Sequence, residues 1–250
     1  NNVVDDLGEA PPIISEPNVV FVGQPRAAFY TNPVRGALYD SLGMYLKPDV
    51  DTSMRKFFGN PVAPNNGSFT VNFRFLKDFT LNLLTDWTIG GTLFNRSKQF
   101  LASFGNSVEY NMLHNALGIP NKPGSFIPVD TSVKRLVPGT AEYKTAAYRY
   151  AQMDPNQFGA GAYFESSDFF RIRELSLRWD GSSTLAELVP GVLRSFAVTV
   201  GARNLALFSS YSFPDPEVNS GGSRVTVSRG RDFITLQNPR VLYATIAIGF

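Results

Sequence analysis

The chain has 250 residues, with 23 Lys and Arg against 21 Asp and Glu, one histidine and no cysteine. This charge balance does not indicate a nucleic-acid-binding protein, because such proteins carry a basic excess on one face. The missing cysteines exclude disulfides and thiolate metal sites. The single histidine, His114, excludes a histidine-rich metal site and most histidine-based acid–base chemistry.

Hydropathy gives no sign of a transmembrane helix, because no run of about 18 apolar residues occurs. A membrane-spanning β-strand would leave no such run, since its lipid-facing residues alternate with polar ones. The mean hydropathy of −0.09 fits either a water-soluble β protein or the wall of a barrel.

Alternation of apolar and polar residues predicts five β-strands and no helix longer than a turn or two. The strands are Gly67–Leu76, Phe79–Asn95, Asp168–Trp179, Arg194–Ser209 and Arg240–Phe250. The first two strands form a hairpin around a tight turn at Lys77-Asp78. Some helical spacing occurs at Leu101–Leu117 and at Thr184–Leu188, within text typical of loops.

The connections between these strands alternate in length. Lys77-Asp78 and Asp180–Gly191 are short, whereas Arg96–Ser167 and Tyr211–Gln237 are long. The strands span ~10–17 residues, against ~5–6 in soluble proteins. Long strands with alternating connections are typical of outer-membrane barrels, which have short periplasmic turns and longer extracellular loops. The sequence therefore predicts an all-β fold, an antiparallel meander of long transmembrane strands.

This topology assigns a membrane depth to several side chains. With the last residue at the periplasmic rim, Phe79, Trp179 and Phe250 lie in a lower aromatic belt. Strict alternation along the third strand places Arg171 and Arg173 on the face that carries Leu175, Leu177 and Trp179. We expect both arginines above the bilayer, since a lipid-facing charge at mid-depth costs ~2–4 kcal/mol.

The last strand ends in a pattern that can be interpreted in two ways. Its members are Tyr243, Ile246, Ile248 and Phe250. They are similar to the C-terminal signal that the barrel-assembly machinery reads. The alternative is that they are simply lipid-facing and belt residues. The two interpretations are compatible, and we expect both to hold.

Six local strings carry a family resemblance. In chain order they are "VGQPRAAFY" (Val22–Tyr30), "FGNPVAPNNGSF" (Phe58–Phe69), "DWTIGGTLFNRSKQF" (Asp86–Phe100), "FRIRELSLRW" (Phe170–Trp179), "VGARNLALFSSYSFPDPEVN" (Val200–Asn219) and "LYATIAIGF" (Leu242–Phe250). The most specific parts are Arg203-Asn204-Leu205 and the loop Asp215, Pro216, Glu217, Val218 and Asn219. Together the strings resemble the C-terminal barrel of SusC/RagA-type TonB-dependent outer-membrane transporters, over nearly the whole chain.

The resemblance implies that residues 1–250 are the C-terminal portion of a large, about 22-stranded, outer-membrane β-barrel. In this family an N-terminal plug fills the barrel and carries or follows the segment that engages TonB. A SusD-like surface lipoprotein caps the barrel, and the pair imports oligosaccharides or peptides without catalysis or a cofactor. The chain starts at Asn1-Asn2-Val3, so we expect the plug and a signal peptide to lie upstream in the same polypeptide.

Some polar residues could be ligands, but each has a simpler explanation. Asp49 and Asp51, in the string "KPDVDTS", stand where many family members carry a "DxNxDG" stretch, so we expect solvated loop charges and no calcium site. Asp215 and Glu217 flank a proline, and we expect them to structure a turn rather than to work as paired carboxylates. His114 has no second His or Cys nearby, so we expect an ordinary loop residue.

Two other classes of protein stay open as alternatives. A secreted, soluble β-sandwich could bind glycans through exposed Trp and Tyr, although the strand lengths argue against it. An outer-membrane enzyme would need a nucleophile with a histidine partner, and His114 has no evident Ser and Asp companions. Five strands cannot close a barrel of this kind. We therefore expect an open sheet whose edges pair with upstream strands, and a closed sandwich would contradict the transporter interpretation.

Overall fold

The computed structural model describes residues 3–184, 194–222 and 227–250. About 40% of the residues are in strands and 15% in helices, and the strands form mostly antiparallel sheets. The predicted all-β class is therefore confirmed. The chain divides into two compact units. The sheet unit comprises Ala63–Gly90, Ser167–Pro216 and Leu236–Phe250, and the loop unit comprises Asn1–Val62, Gly91–Ser166 and Glu217–Thr235.

The strands are, in chain order, β1 (Ile13–Ser15), β2 (Asn18–Val20), β3 (Ala28–Thr31), β4 (Val34–Tyr39), β5 (Tyr45–Val50), β6 (Lys56–Gly59), β7 (Asn65–Phe75), β8 (Phe79–Ile89), β9 (Thr92–Asn95), β10 (Phe164–Ser166), β11 (Phe169–Asp180), β12 (Ser195–Ser209), β13 (Arg231–Asp232) and β14 (Val241–Gly249). Three α-helices, α1 (Arg96–Ser103), α2 (Val108–Ala116) and α3 (Ala141–Gln152), lie between β9 and β10.

The sheet unit is a five-stranded sheet with the order β14-β12-β11-β8-β7. Every pair of neighbours in it is antiparallel. These five strands are the five that alternation predicts. Phe75 faces Phe79 across the β7–β8 hairpin, and Leu76 and Lys77 in its turn have φ values of 46° and 62°. The predicted hairpin and its tight turn are therefore confirmed.

The sheet is open, as predicted. Within the described residues β7 pairs only with β8, and β14 pairs only with β12. Both edges thus present backbone N–H and C=O groups that could pair with further strands. No closed barrel forms among the described residues.

The predicted strand Phe79–Asn95 is interrupted at Gly90. β8 ends at Ile89, and Gly90 has a φ of 87°, a conformation that side chains with a Cβ rarely adopt. The backbone N–H of Gly90 donates to Oδ1 of Asp168 at 2.6 Å. The residues after Gly90 belong to β9 and to the loop unit. The predicted segment does consist of strand residues on both sides of Gly90, but the alternation of apolar and polar residues did not reveal that the strand breaks there.

The loop unit is built from short strands. β1, β2, β3 and β6 form a four-stranded sheet, and β4 pairs with β5. β9 lies between β10 and β13, antiparallel to β10 and parallel to β13. The guanidinium of Arg231, on β13, donates to the side chain of Asn18 at 2.6 Å and to the backbone carbonyl of Ser15. This contact ties β13 to the β1–β2 hairpin.

The expectation of no helix longer than a turn or two was wrong, because the predicted loop Arg96–Ser167 contains α1, α2 and α3. Each helix starts with a side-chain cap: Asn95, Ser107 and Thr140 accept hydrogen bonds from the N–H groups of Lys98, Tyr110 and Tyr143. α3 buries Tyr143, Ala147, Tyr150 and Ala151, which lie on one helical face. Of the predicted helical segment Thr184–Leu188, only Thr184 lies among the described residues.

Two hydrophobic clusters form the core of the loop unit. The first surrounds Tyr143, Tyr150 and Ala147 of α3, with Tyr110 of α2 packed against them. The second contains Phe29, Phe94 and Tyr163, all fully buried. Burial of large aromatic side chains provides much of the free energy that such short elements need in order to fold.

Candidate functional site

One face of the five-stranded sheet is apolar on every strand. We name it the apolar face, and its members are Phe69, Val71, Phe73 and Phe75 of β7; Phe79, Leu81, Leu83 and Trp87 of β8; Leu175, Leu177 and Trp179 of β11; Phe196, Val198, Val200 and Ala202 of β12; and Leu242, Ala244, Ile246 and Ile248 of β14. None of these residues is charged. Phe73, Leu242 and Ile246 are 57%, 77% and 64% exposed. An exposed apolar surface of this extent indicates contact with an apolar environment.

The opposite face, the polar face, carries hydrogen-bonding and charged side chains. They are Thr70, Asn72 and Arg74; Thr80, Asn82 and Asp86; Glu174, Ser176 and Arg178; Thr199 and Arg203; and Tyr243 and Thr245. Asn82 donates to the hydroxyl of Ser176 at 3.3 Å. Nε of Arg203 lies 3.6 Å from Oε2 of Glu174. Although Thr85 lies on the apolar face and Leu84 on the polar face, the two faces of the sheet therefore differ sharply in polarity.

A β-bulge at Arg173 changes the predicted faces of β11. Ile172 pairs with Thr85 and Glu174 pairs with the adjacent Leu84, so Arg173 is an extra residue in this strand. An extra residue reverses the alternation beyond it. Arg171 pairs with Asp86 and therefore lies on the polar face. The prediction that the two arginines share the face of Leu175, Leu177 and Trp179 was wrong, because alternation counted by residue number ignores the bulge.

Both arginines have acidic partners. Nη2 of Arg173 lies 2.7 Å from Oδ2 of Asp86. Nη2 of Arg171 lies 2.6 Å from Oδ1 of Asp215, and the side chains of this pair are each only 3% exposed. Asp215 offsets the buried charge of Arg171, since a buried charge without a partner is strongly destabilising.

Aromatic side chains form two rows at opposite ends of the apolar face. The first row contains Phe75, Phe79, Trp179 and Phe196; the rings of Phe75 and Phe79 are 5.7 Å apart and those of Trp179 and Phe196 are 6.0 Å apart. Phe79 and Trp179 are direct register partners, so the structure brings two of the three predicted belt residues together. Phe250, the third, follows the end of β14 and is 79% exposed.

The second row was missed by the sequence analysis. It contains Trp87, Phe170 and Phe208, with the rings of Phe170 and Phe208 6.2 Å apart. Trp87 lies eight residues from Phe79 on β8, which is roughly 26 Å along a strand at ~3.3 Å per residue. A strand tilt of ~40° reduces this to about 20 Å, similar to the apolar band between the aromatic girdles of outer-membrane proteins. The sequence did contain a signal for this row: β8, β11 and β12 each carry an aromatic residue near the end opposite the first row.

The residues of the predicted assembly signal lie on two faces of the sheet. Ile246 and Ile248 belong to the apolar face, whereas Tyr243 belongs to the polar face. The hydroxyl of Tyr243 donates to Oε1 of Glu174 at 2.6 Å. Its ring covers Gly201 so closely that a Cβ at that position would lie 2.6 Å from the ring. Glycine at position 201 is what allows the tyrosine to lie flat across β12.

The family-motif loop Asp215–Asn219 starts at the buried ion pair. Asp215 accepts from Arg171 through Oδ1 and from the backbone N–H of Asn238, at 3.3 Å, through Oδ2. Asn219 donates to the carbonyl of Gly222 at 2.8 Å. Asp215 therefore fixes the backbone on either side of the long connection between β12 and β14, which is the kind of structural role expected of it.

Asp51, in contrast, differs from the expectation of a solvated loop charge. It is only 7% exposed, and Oδ1 accepts from both the backbone N–H and the hydroxyl of Ser53, at 2.9 and 2.6 Å. These hydrogen bonds from Ser53 lower the pKa of its carboxyl. Asp130 makes the same two hydrogen bonds with Ser132. Such Asp turns stabilise irregular backbone without any bound ion.

The loop unit contains a cavity of about 320 Å³, which we name the loop-unit cavity. Its lining includes the aromatic side chains of Tyr45, Tyr110 and Tyr150, together with His114, Lys47, Lys122 and Asp154. The Tyr150 ring stacks on Tyr110 with centroids 4.5 Å apart and meets the Tyr45 ring edge-on at 5.1 Å. Burial raises the pKa of Tyr150 to about 12 and also raises the pKa of Asp154. The cavity therefore has a rigid aromatic wall with ionisable groups beside it.

His114 lies on α2 and not in a loop, so that expectation was wrong. It is buried, and its Nδ1 lies 2.9 Å from the hydroxyl of Tyr150. Burial lowers the pKa of His114, an effect that the side chain of Asn121 partly offsets. The ring is therefore neutral at pH 7. Within the described residues no three His, Cys, Asp or Glu side chains come together as metal ligands would.

Comparison with known proteins gives a structural likeness only. No protein-family model matches the chain, and no curated protein matches it. A chain in the structure of the RagAB peptide transporter superposes with a TM-score of 0.61 at 17% identity, over 95% of this chain and 24% of that one. RagAB peptide importer structures in the open-open and closed-closed states each give 0.61 at 16% identity, over 98% and 97% of this chain and 25% of theirs.

These matches show a related fold. The chain spans about a quarter of the length of the transporter chains that it matches. The structural neighbours are transporters and not enzymes. No helix in the described part of the chain is long and apolar enough to cross a membrane.

Proposed function

We propose that the chain is the C-terminal part of the barrel wall of a SusC/RagA-type outer-membrane transporter. In this proposal the apolar face contacts lipid and the polar face lines the lumen. The whole protein imports oligosaccharides or peptides in a TonB-dependent manner, together with a SusD-like surface lipoprotein. TonB engages it through the N-terminal part, and the barrel-assembly machinery inserts it by its last strand. The chain itself performs no catalysis.

The observation that carries the proposal is the apolar face between its two aromatic rows. A water-soluble sheet would bury such a face, yet Val200, Ile246 and Leu242 are at least half exposed. Lipid would cover them, and the aromatic rows would then lie at the two membrane interfaces. Phe79, Trp179 and Phe250 would form the lower belt, as expected from the sequence.

The structural likeness to the RagAB chains supports a transporter of this type over other classes of membrane protein. It covers nearly all of this chain and includes both units. The open edges of β7 and β14 fit a wall segment, because lipid does not tolerate unpaired backbone groups and further strands must cover them. A secreted β-sandwich is less well supported, since a sandwich buries one face of each sheet against the other.

Single-cysteine labelling tests the lipid and lumen faces directly, because the chain has no cysteine of its own. We would introduce Thr245→Cys and Ile246→Cys on β14, and Thr199→Cys and Val200→Cys on β12. Each variant of the intact protein would carry a nitroxide label in lipid vesicles. We expect positions 200 and 246 to be accessible to oxygen, which partitions into lipid. Positions 199 and 245 should be accessible to a water-soluble nickel chelate.

The neighbouring positions of each strand are matched controls, because they share the same depth and differ only in face. Equal accessibility of both positions to the nickel chelate would contradict a lipid-facing surface and favour a soluble protein. A reversed pattern would contradict the proposed assignment of lumen and lipid.

Transport requires a separate test in cells. We would measure the uptake of labelled oligopeptides and labelled oligosaccharides with and without the intact protein, and with TonB inactivated. We expect uptake of one of the two cargo classes to fall to background in both cases. Uptake that persists without TonB would contradict TonB-dependent import, and the labelling result would then stand alone as evidence of membrane location.

A further inference from the structure

The loop-unit cavity is lined by one acidic side chain, Asp154, and by two basic ones, Lys47 and Lys122, and no ion pair joins them among the described residues. Oδ1 of Asp154 accepts hydrogen bonds from the backbone N–H and the side-chain amide of Asn156, at 2.8 and 3.1 Å. Its second oxygen makes no hydrogen bond within the described residues. Lys122 also lines the cavity, and it makes no ion pair with any described residue, although its charge acts on Asp154.

The wall behind these groups is rigid and partly unsatisfied. Tyr150 packs between Tyr110 and Tyr45 through ring contacts. The buried hydroxyl of Tyr45 and the buried Nε2 of His114 have no hydrogen-bond partner among the described residues. Both atoms are fully buried, so a ligand in the cavity would pack against the tyrosine wall and would form its polar contacts with Asp154 and Lys122.

Size limits the ligand to a small molecule. The volume of about 320 Å³ lies near the lower end of the ~300–1,000 Å³ range of small-molecule sites. An amino acid, a dipeptide or a monosaccharide would fit such a volume. A lone metal ion would not suit it, because His114 and Asp154 are its only two side chains of the usual metal-binding types.

Charge selects among these small molecules. A neutral sugar would leave both Asp154 and Lys122 without a partner of opposite charge. A simple cation would pair with Asp154 and be repelled by Lys122 and Lys47, and a simple anion would pair with the lysines and leave Asp154 without a cation. A molecule with an ammonium and a carboxylate group can pair with both at once, in a partly buried site where such charge-assisted hydrogen bonds are strong.

We propose that the loop-unit cavity is a binding site for a small zwitterion, a free amino acid or a dipeptide. The ammonium group pairs with Asp154 against the tyrosine wall, and the carboxylate pairs with Lys122. This inference does not rest on the proposed transport function, since all residues involved belong to the loop unit.

Calorimetry with a set of matched probes tests the inference on the intact protein in detergent. The probes are alanyl-alanine, its N-acetyl derivative, its C-terminal amide and glucose. We expect alanyl-alanine to bind at least tenfold more tightly than either blocked derivative, because each of these lacks one charge. Glucose should give no measurable binding.

Two substitutions identify the charges in the protein. Asp154→Asn should weaken alanyl-alanine binding at least tenfold and leave the N-acetyl derivative unaffected. Lys122→Met should weaken alanyl-alanine binding similarly and leave the C-terminal amide unaffected. Asp130→Asn and Lys134→Met are matched controls, because both residues are exposed in the same unit and do not line the cavity. Asp130 also accepts hydrogen bonds from the residue two positions on, as Asp154 does.

Loss of folding would not explain the expected result. Lys122 is exposed, so its substitution leaves the core intact. Burial raises the pKa of Asp154, so its charge disfavours the folded state at pH 7 and Asp154→Asn should not lower the melting temperature. Absence of alanyl-alanine binding, binding of glucose, or equal losses for blocked and free dipeptides would each overturn the inference. Failure of TonB-dependent uptake would leave it standing.

Discussion

The two units differ in where their main groups of aromatic side chains lie. In the sheet unit Phe73, Phe170 and Phe208 are 57%, 40% and 60% exposed, on one face of the sheet. In the loop unit Phe94 and Tyr163 are fully buried within a cluster of rings. The loop unit thus encloses an aromatic core of its own, whereas the sheet unit leaves comparable side chains on its surface. In the proposed function lipid would cover them.

The largest expected effect comes from comparing a buried ion pair of the sheet unit with an exposed ion pair of the loop unit. Arg171→Met in the sheet unit removes the guanidinium that contacts the buried Asp215, and breaking a buried pair costs ~3–5 kcal/mol. Arg149→Met in the loop unit breaks a pair with Glu109 whose side chains are 66% and 45% exposed. That pair should contribute less than ~1 kcal/mol. Hydrogen exchange of β11 and of α3 would measure both changes.

Equal effects of the two substitutions would contradict this contrast. The contrast would be strengthened if Asp215→Asn alone lowered stability as much as Arg171→Met does and the double variant showed no further loss. That result would assign the effect to the pair and not to the size of either side chain.

A second prediction separates lipid from water as the surrounding of exposed apolar residues. Ile246→Arg places a charge on the apolar face, which should cost ~2–4 kcal/mol if that face contacts lipid at mid-depth. Thr245→Arg, on the polar face of the same strand, should cost little. Val129→Arg, at a position of the loop unit that is 72% exposed, should also cost little. Urea unfolding in lipid vesicles would measure all three, and a small cost at Ile246 would indicate that water covers this face.

The smallest effect concerns pH and the loop unit alone. Because burial lowers the pKa of His114 below 6.5, the unfolded chain takes up a proton at a higher pH than the folded chain does. The contribution of neutral His114 to the free energy of unfolding is therefore complete above pH 6.5 and is lost as the pH falls below that value. Each unit of difference in pKa between the folded and unfolded chain corresponds to about 1.4 kcal/mol in the free energy of unfolding. Asp154, whose pKa is raised, has the opposite dependence at lower pH.

Hydrogen exchange of α2 and α3, corrected for the intrinsic effect of pH, would follow this change between pH 7 and 5. We expect protection to decrease in the native protein and to vary less in His114→Gln. The strands of the sheet unit should show no matching change. A pH dependence that is unaffected by the substitution would assign the titration to another group.

The sheet unit was predictable because long strands repeat one signal many times. β8, for example, alternates from Phe79 to Ile89, and a hairpin turn fixes its register with β7. The break at Gly90 was missed because the apolar pattern continues past it. The bulge at Arg173 did leave a signal, since the apolar residues switch from even numbers at Phe170 and Ile172 to odd numbers at Leu175, but strict alternation was assumed along the whole strand. The pairing of Arg171 with Asp215 joins residues 44 positions apart, and no local pattern reports it.

The loop unit was largely missed because its strands span only two to six residues, too few for a periodic signal to emerge. One signal was available: Tyr143, Ala147, Tyr150 and Ala151 follow the spacing of one helical face, after Thr140 as a cap. The loop-unit cavity could not be predicted, since Tyr45, His114, Lys122 and Asp154 come together only through the fold.

The bulge at Arg173 divides β11 into two segments with opposite parity. A single-residue deletion at Arg173 would remove the bulge and leave every other side chain of β11 on its present face, because Ile172 and Glu174 pair with the adjacent residues Thr85 and Leu84. An insertion of one residue elsewhere in β11 would instead turn one side of the strand over. Arg171 would then point away from Asp215, or Leu175, Leu177 and Trp179 would leave the apolar face. Related chains should therefore tolerate a missing residue at the bulge, and keep the spacing from Phe170 to Ile172 and from Glu174 to Trp179.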